Sequence, residues 1–156
     1  MDEIRVLTAD EWQVWREIRL RSLAESPDAF GSTLAREQAF TEDDWHDRLR
    51  SVAVVAFVEG RPVSLGGGYR VRPGWLQVVA MWTDPAHRGA GLAGRVLDVI
   101  VAAAYAEDRR LVLDVERSNA SARAAYERFG FVATGTSHPL REGSDLMVDE
   151  MTLPSR

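Results

Sequence analysis

One strand-loop-helix-strand unit in the middle of the chain constrains the fold more than any other feature. Residues 76–82 (LQVVAMW) read as a strand. From 91 to 107 the apolar positions Leu92, Val96, Val99, Ile100 and Ala103 recur at helical spacing, and residues 111–115 (LVLDV) read as the next strand. Such a crossover is almost always right-handed and leaves its two strands parallel. No other stretch of the chain repeats this arrangement.

The remaining strands read as antiparallel neighbours. Residues 3–7 form a short strand, and Thr8 to Glu11 has the S/T-x-x-E form of a capping box, so a helix begins ahead of Trp12, Trp15 and Ile18 and ends near Ser26-Pro27. AFGST (29–33) reads as a loop. Thr41 to Asp44 repeats the capping pattern before a second helix carrying Trp45 and Leu49. Residues 52–58 and 63–71 make a hairpin across EGRP, and PGW leads into the strand at 76–82. Three glycines, 66 to 68, interrupt the second hairpin strand and point to a bulge, to close approach of another backbone or ligand, or to a loose strand. After Asn119 a helix with Ala122, Ala125, Tyr126 and Phe129 on one face closes at Gly130, and FVATG and LMVDEMTL finish as strands. The expected fold is α/β (α+β): a single mixed, mostly antiparallel sheet of six to seven strands, helices on both faces and one parallel β-α-β crossover. Residues 1–156 read as one domain.

Charge and composition narrow the partners. The formal net charge of -5 argues against nucleic acid, whose phosphates call for a basic surface. With no Cys there is no disulfide framework and no thiolate nucleophile or ligand; no metal site is expected. Neither a signal-type leader nor an apolar run of membrane length occurs, which makes a soluble, cytoplasmic protein with no membrane partner the default expectation.

RGAGLAGRVLDV (88–99) sets Gly89, Gly91 and Gly94 in G-x-G-x-x-G spacing, with Asp114 about twenty residues on, the pattern of an NAD-dependent oxidoreductase. That fold runs its first strand almost directly into the first glycine and repeats parallel β-α units. Here polar TDPAHR intervenes, and a single crossover is present. The same stretch also reads as Arg-x-x-Gly-x-Ala opening a helix, an anion cradle in which free N–H groups and the helix dipole meet a pyrophosphate. Arg88 adds positive charge and Arg95 can add more one turn later.

MWTDPAHRGAGLAGRVL and LDVERSNASARAAYERFGF together resemble the two central motifs of the GNAT family of N-acetyltransferases, Q/R-x-x-G-x-G/A and N-x-x-A-x-x-x-Y-x-x-x-G-F. The likeness is strongest over 79–131 and extends more loosely to SPDAFGST and the final strands. It implies the acyl-CoA N-acyltransferase fold and transfer of acetyl from acetyl-CoA, as cosubstrate, to an amine acceptor. It also implies a pantetheine arm along Met81, Trp82 and Thr83, and a pyrophosphate on Arg88, Gly89, Ala90, Gly91, Leu92, Ala93 and Gly94. Asn119 would contact the cofactor arm, although its spacing equally suits a helix N-cap. Tyr126 would protonate the departing thiolate, although a Tyr on an apolar helix face is commonly core. Asp114 aligns with a Glu base of some members; Glu116, as the choice for the other face, or a water chain are the alternatives. A backbone N–H near Trp82 would stabilise the oxyanion.

Acceptor identity is expected to rest on the first helices, AFGST, the 69–75 connection and residues 137–145. Trp12, Trp15, Phe30 and Trp75 are candidate pocket walls, and His138 is a possible second base. A non-catalytic acyl-CoA sensor on the same fold is the competing class. Homodimerisation through C-terminal edge strands is possible.

Overall fold

The computed structural model describes residues 2–154. Seven strands form one sheet: β1 (Asp2–Val6), β2 (Val52–Val58), β3 (Arg61–Arg72), β4 (Trp75–Thr83), β5 (Arg110–Glu116), β6 (Val132–Pro139) and β7 (Met147–Leu153). Their spatial order is β1-β2-β3-β4-β5-β7-β6, and β4 with β5 is the parallel pair, as expected from the central unit. The helices are α1 (Trp12–Glu25), α2 (Leu34–Gln38), α3 (Glu42–Arg48), α4 (Leu92–Ala106) and α5 (Ala120–Phe129).

Local chemistry sets the helix starts. Thr41 N donates to Asp44 Oδ2 at 2.9 Å and Asp44 N donates back to Thr41 Oγ1 at 3.2 Å, the reciprocal box that opens α3. At the head of α1, Thr8 N donates to Glu11 Oε1 at 3.0 Å, and one 3-10 turn precedes the helix proper. Helix α2 is not legible in the sequence, because five residues are too few to show a period. Thr33 caps it, accepting from Arg36 N, and it delivers Glu37 to the interior.

The sheet separates two cores. Helix α4 lays Val96, Leu97 and Ile100 on Val54, Val63, Leu76 and Leu113, with Tyr126 and Phe129 of α5 against the same layer. On the other face Trp15, Ile18, Leu23 and Trp45 cover Val55, Phe57, Leu65 and Trp82. Strand β2 is therefore apolar throughout, since both of its faces are buried.

The glycines of β3 are explained by close packing. A Cβ at Gly66 would lie 2.9 Å from Val96 Cγ1 and from Ile100 Cδ1, and would also strike Met81 Sδ. Helix α4 thus rests directly on the strand backbone. Beside this point the β3/β4 register shifts, Leu65 pairing with Trp82 but Gly67 with Val79. Strand β4 carries the extra residue, and Ala80 takes the left-handed φ of 62°.

From that bulge the rest of the architecture follows. Pairing of β4 with β5 runs from Trp75↔Arg110 to Val78↔Leu113 and then stops, while β5 continues along β7 as far as Glu116↔Val148. Residues 79–83 consequently diverge from their parallel neighbour. Gly66→Ala should overpack this junction and lower stability by about 1–3 kcal/mol, which chemical denaturation would register as a lower midpoint at unchanged slope.

Candidate active site

A cleft of about 1090 Å3 opens where β4 and β5 part. Met81, Trp82 and Thr83 form one side, the loop before α4 the floor, and α5 the other side. In that loop Gly89 (φ 85°) and Gly91 (φ 79°) sit in left-handed conformations that a side chain would strain, and Gly91 caps α4. The N–H groups of Gly89 to Gly94 donate no hydrogen bond among the described residues. A row of free donors at the positive end of a fifteen-residue helix is suited to a phosphate-bearing ligand.

Most of the residues singled out from the sequence meet here. Met81, Trp82, Thr83, Arg88, Gly89, Gly91, Leu92, Ala93, Gly94, Asn119 and Tyr126 all line this cleft. Ala90 sits in the same loop but does not line it. Arg95 turns away: its Nη1 lies 3.4 Å from Asp2 Oδ2, so it adds no charge to the cradle. Asp84 anchors the approach to the loop, accepting from Ala86 N and from Arg21 Nη2, contacts that hold its carboxyl below the usual range. NAD would require Asp114 at this cleft, whereas Asp114 lies elsewhere.

Arg88 is tied down by two contacts. Its Nε donates to Thr83 O at 2.8 Å and its Nη2 to Glu25 Oε1 at 2.7 Å; Trp82 Nε1 donates to the same oxygen at 2.9 Å. With Ser26 also donating to it, Glu25 is held below the usual carboxylate range. Neither Glu25 nor His87, whose buried Nδ1 has no partner, was evident as a cleft residue in the sequence. No motif marks Glu25, because the end of α1 reaches the cleft only through the tertiary fold, and His87 lies within TDPAHR with no pattern of its own to set it apart.

On the opposite wall, Asn119 accepts from Ala122 N at 3.2 Å, so it is the N-cap of α5 and a lining residue at once. Tyr126 lies two turns further, its ring edge-on to Phe131 with centroids 6.0 Å apart. Burial pushes its phenol up to about 12, and its hydroxyl forms no hydrogen bond among the described residues. It is both a packing residue and a free donor. Glu116 is fully engaged: Ser118 N donates to its Oε2 at 2.6 Å and Ser118 Oγ to its Oε1 at 2.9 Å. Nor does it face the sheet side opposite Asp114, as expected; two residues apart on β5, the two share a face while Leu113 and Val115 enter the α4 core.

Asp114 belongs to a second pocket of about 300 Å3, on the α1 face of the sheet. His138 Nε2 lies 3.2 Å from its Oδ2, and Gln77 Nε2 donates to the same oxygen at 3.3 Å. Desolvation raises the Asp114 pKa, against the opposing pull of His138. The two candidate bases are thus one pair. Ala29 lines both pockets, and Val79 and Ala80 of the β4 bulge form part of the second, so the two cavities adjoin where the strand bends. Of the aromatic candidates only Phe30 lines this pocket: Trp15 is core, Trp12 packs on that core, and Trp75 is stacked between Arg72 and Arg110. The 69–75 connection lines neither cavity.

Among the described residues no helix is long and apolar enough to cross a membrane, and no group of His, Asp and Glu could hold a metal ion. Sequence comparison with curated proteins finds no significant match. Similar folds are numerous among solved structures. One is an acetyltransferase of the GNAT family from Streptococcus pneumoniae (18% identity, TM-score 0.81, covering 99% of this chain and 100% of that one). Another is a Salmonella typhimurium protein determined with its cofactor acetyl-CoA (18%, TM-score 0.79, 98% and 93%). A third is the ribosomal-protein-S18-alanine N-acetyltransferase from Escherichia coli (20%, TM-score 0.72, 99% and 94%). The model of the acetyltransferase (GNAT) family matches residues 12–131, which take in α1, the β4 bulge, the glycine loop and α5. With its parted strands, its loop of free N–H groups and this match in place, the chain belongs to the GNAT family of acetyltransferases.

Proposed function

We propose that the protein is a single-domain N-acetyltransferase that moves the acetyl group of acetyl-CoA directly to an amine in a ternary complex, acting in the cytoplasm. The observation that carries this reading is the unpaired edge of β4 opening onto the free N–H groups of Gly89 to Gly94, with the Tyr126 hydroxyl in the same cleft. Acetyl-CoA, when bound, supplies an activated thioester. Residues 79–83 offer backbone groups without a strand partner to an extended amide-bearing arm, and the loop offers donors to its phosphates. Arg88 exchanges Glu25 for phosphate.

Chemistry is divided between the cavities. Tyr126 stays protonated throughout the neutral range and donates to the departing sulfur. An alkylammonium acceptor has a pKa of about 10 and must lose a proton before attack. Asp114, whose desolvation strengthens its hold on a proton, accepts it with His138 alongside as the route to solvent. A backbone N–H near Trp82 stabilises the developing oxyanion. A homodimer formed along β6, exposed over its whole length, is part of the same proposal.

Thermal unfolding tests the cleft directly. Acetyl-CoA and CoA at a hundred times their dissociation constants should each add about 2.7 kcal/mol of stability, and NAD none; a shift with NAD alone would overturn the reading. Tyr126→Phe should lower kcat by about tenfold or more while keeping the acetyl-CoA shift, and an unchanged kcat at optimal pH removes Tyr126 from the mechanism. For Asp114→Asn the informative quantity is the wild-type to variant kcat ratio, because the acceptor's own titration cancels. With the Asp114 pKa raised, that ratio should be greatest at high pH and fall toward one as acid protonates the wild-type carboxyl, with its midpoint above the usual value of about 3.9. A ratio of one at every pH would exclude Asp114 as base.

A further inference from the structure

The second pocket carries information about the acceptor. Arg19, from α1, donates through Nε and Nη2 to the two oxygens of Glu37, both at 3.0 Å, and its guanidinium lies 4.7 Å over the ring of Phe30. Its third nitrogen, Nη1, is buried and has no partner among the described residues. Arginine keeps its charge at any working pH, and a buried donor left unpaired is costly, so such an atom marks where an acceptor oxygen is missing. Arg19 lines the same small pocket as Asp114, His138 and Gln77. A cationic group and a carboxylate in one cavity of about 300 Å3 complement a small molecule that carries both an amine and an anionic oxygen pair.

Apolar residues complete the wall, with Phe30, Val79, Leu140 and Val148 among them. The loop that forms one wall of the pocket is fastened from across the fold. Arg141 donates from Nη2 to Pro27 O at 2.9 Å and to Phe30 O at 2.8 Å, and from Nε to Gly31 O at 3.4 Å. Three carbonyls bound by one guanidinium fix this loop along the pocket, whose volume of about 300 Å3 favours a compact occupant. Ala29 on this loop, together with Val79 and Ala80, places the occupant next to the cleft in which the acetyl donor is proposed to lie.

We propose that the acceptor is a free α-amino acid with an apolar side chain, seated in the second pocket with its carboxylate on Arg19 and its amine toward Asp114 and His138. This assignment rests on the acetyl-transfer reading. In the reaction the amine nitrogen, having given one proton to the Asp114–His138 pair, forms the bond to the acetyl carbon as the carbon-sulfur bond breaks. The thiolate takes its proton from Tyr126, the second proton of the nitrogen, lost as the amide forms, restores the phenol, and the products are an N-acetyl amino acid and CoA.

Matched pairs test it: L-leucine against isoamylamine, L-phenylalanine against phenethylamine, and L-leucyl-glycyl-glycine as a peptide, each followed by release of the CoA thiol. The amino acids should exceed their decarboxylated partners in kcat/KM by about tenfold or more. Arg19→Met alone strands Glu37 in the interior, so the double variant Arg19→Met/Glu37→Leu is used, and in it the amino-acid to amine ratio should fall to near one. Binding of N-acetyl-L-leucine in the presence of CoA, read by calorimetry, gives a second measure that does not depend on turnover and should be lost in the double variant. Equal or better rates with the plain amines, preference for the peptide, or an unchanged ratio in the double variant would each overturn the proposal. A protein that is stabilised by acetyl-CoA, yet neither acetylates the amino acids nor binds the acetylated product, overturns the acceptor assignment and leaves acetyl transfer standing. One that ignores acetyl-CoA overturns both.

Discussion

The architecture depends on hydrogen bonds that the sheet does not make. Strands β4 and β5 pair for four residues and then separate, leaving residues 79–83 without a parallel neighbour. Unpaired backbone groups in a sheet interior are costly unless something answers them. Here the cost is offset by geometry: β5 transfers its pairing to β7, β4 keeps β3 on its other side, and the opening between them becomes the site. The Ala80 bulge begins the divergence, and the bare backbone at Gly66 lets α4 come close enough to carry its N-terminus to the mouth of the opening. A sheet regular to its end would have neither cavity.

In the proposed reaction the two cavities divide the work by face. On the α4 side, free N–H groups and a neutral phenol make a surface for anionic and thiol-bearing chemistry. Across the sheet, a desolvated carboxylate, an imidazole and a buried guanidinium make a surface for an amine. Their only common wall is the bend of β4 and the loop at Ala29. On the proposed reading the acetyl donor and the amine approach from opposite faces and meet beside the bend of β4, with no covalent carrier on the protein.

What the sequence disclosed follows from how local each signal is. The crossover, both capping boxes and the hairpins were legible because their determinants lie within a few residues, as did the glycine loop and the Asn119 to Tyr126 spacing. Helix α2 was not, since five residues show no period and its stability comes from Glu37 meeting Arg19. Alternation along β5 put Asp114 and Glu116 on one face, which excludes the other-face role given to Glu116, and the Ser118 contacts that occupy Glu116 needed coordinates to be seen. Glu25, Arg19 and Arg141 carry no motif. Their positions depend on partners 18 to 114 residues away, and single-sequence patterns do not reach that far.

The Arg141 clasp also ties the second pocket to parts of the chain that are far apart in sequence. Everything the cofactor cleft draws from β4, the glycine loop and α5 lies between Met81 and Phe129, a stretch that can organise around one crossover. Closing the second pocket joins Arg141 to carbonyls 110 to 114 residues earlier in the chain. Contacts of such separation close large loops, at an entropic cost that grows only slowly with loop length. The second pocket is therefore shaped by a residue that does not line it, since Arg141 acts on its wall through the backbone carbonyls of residues 27–31.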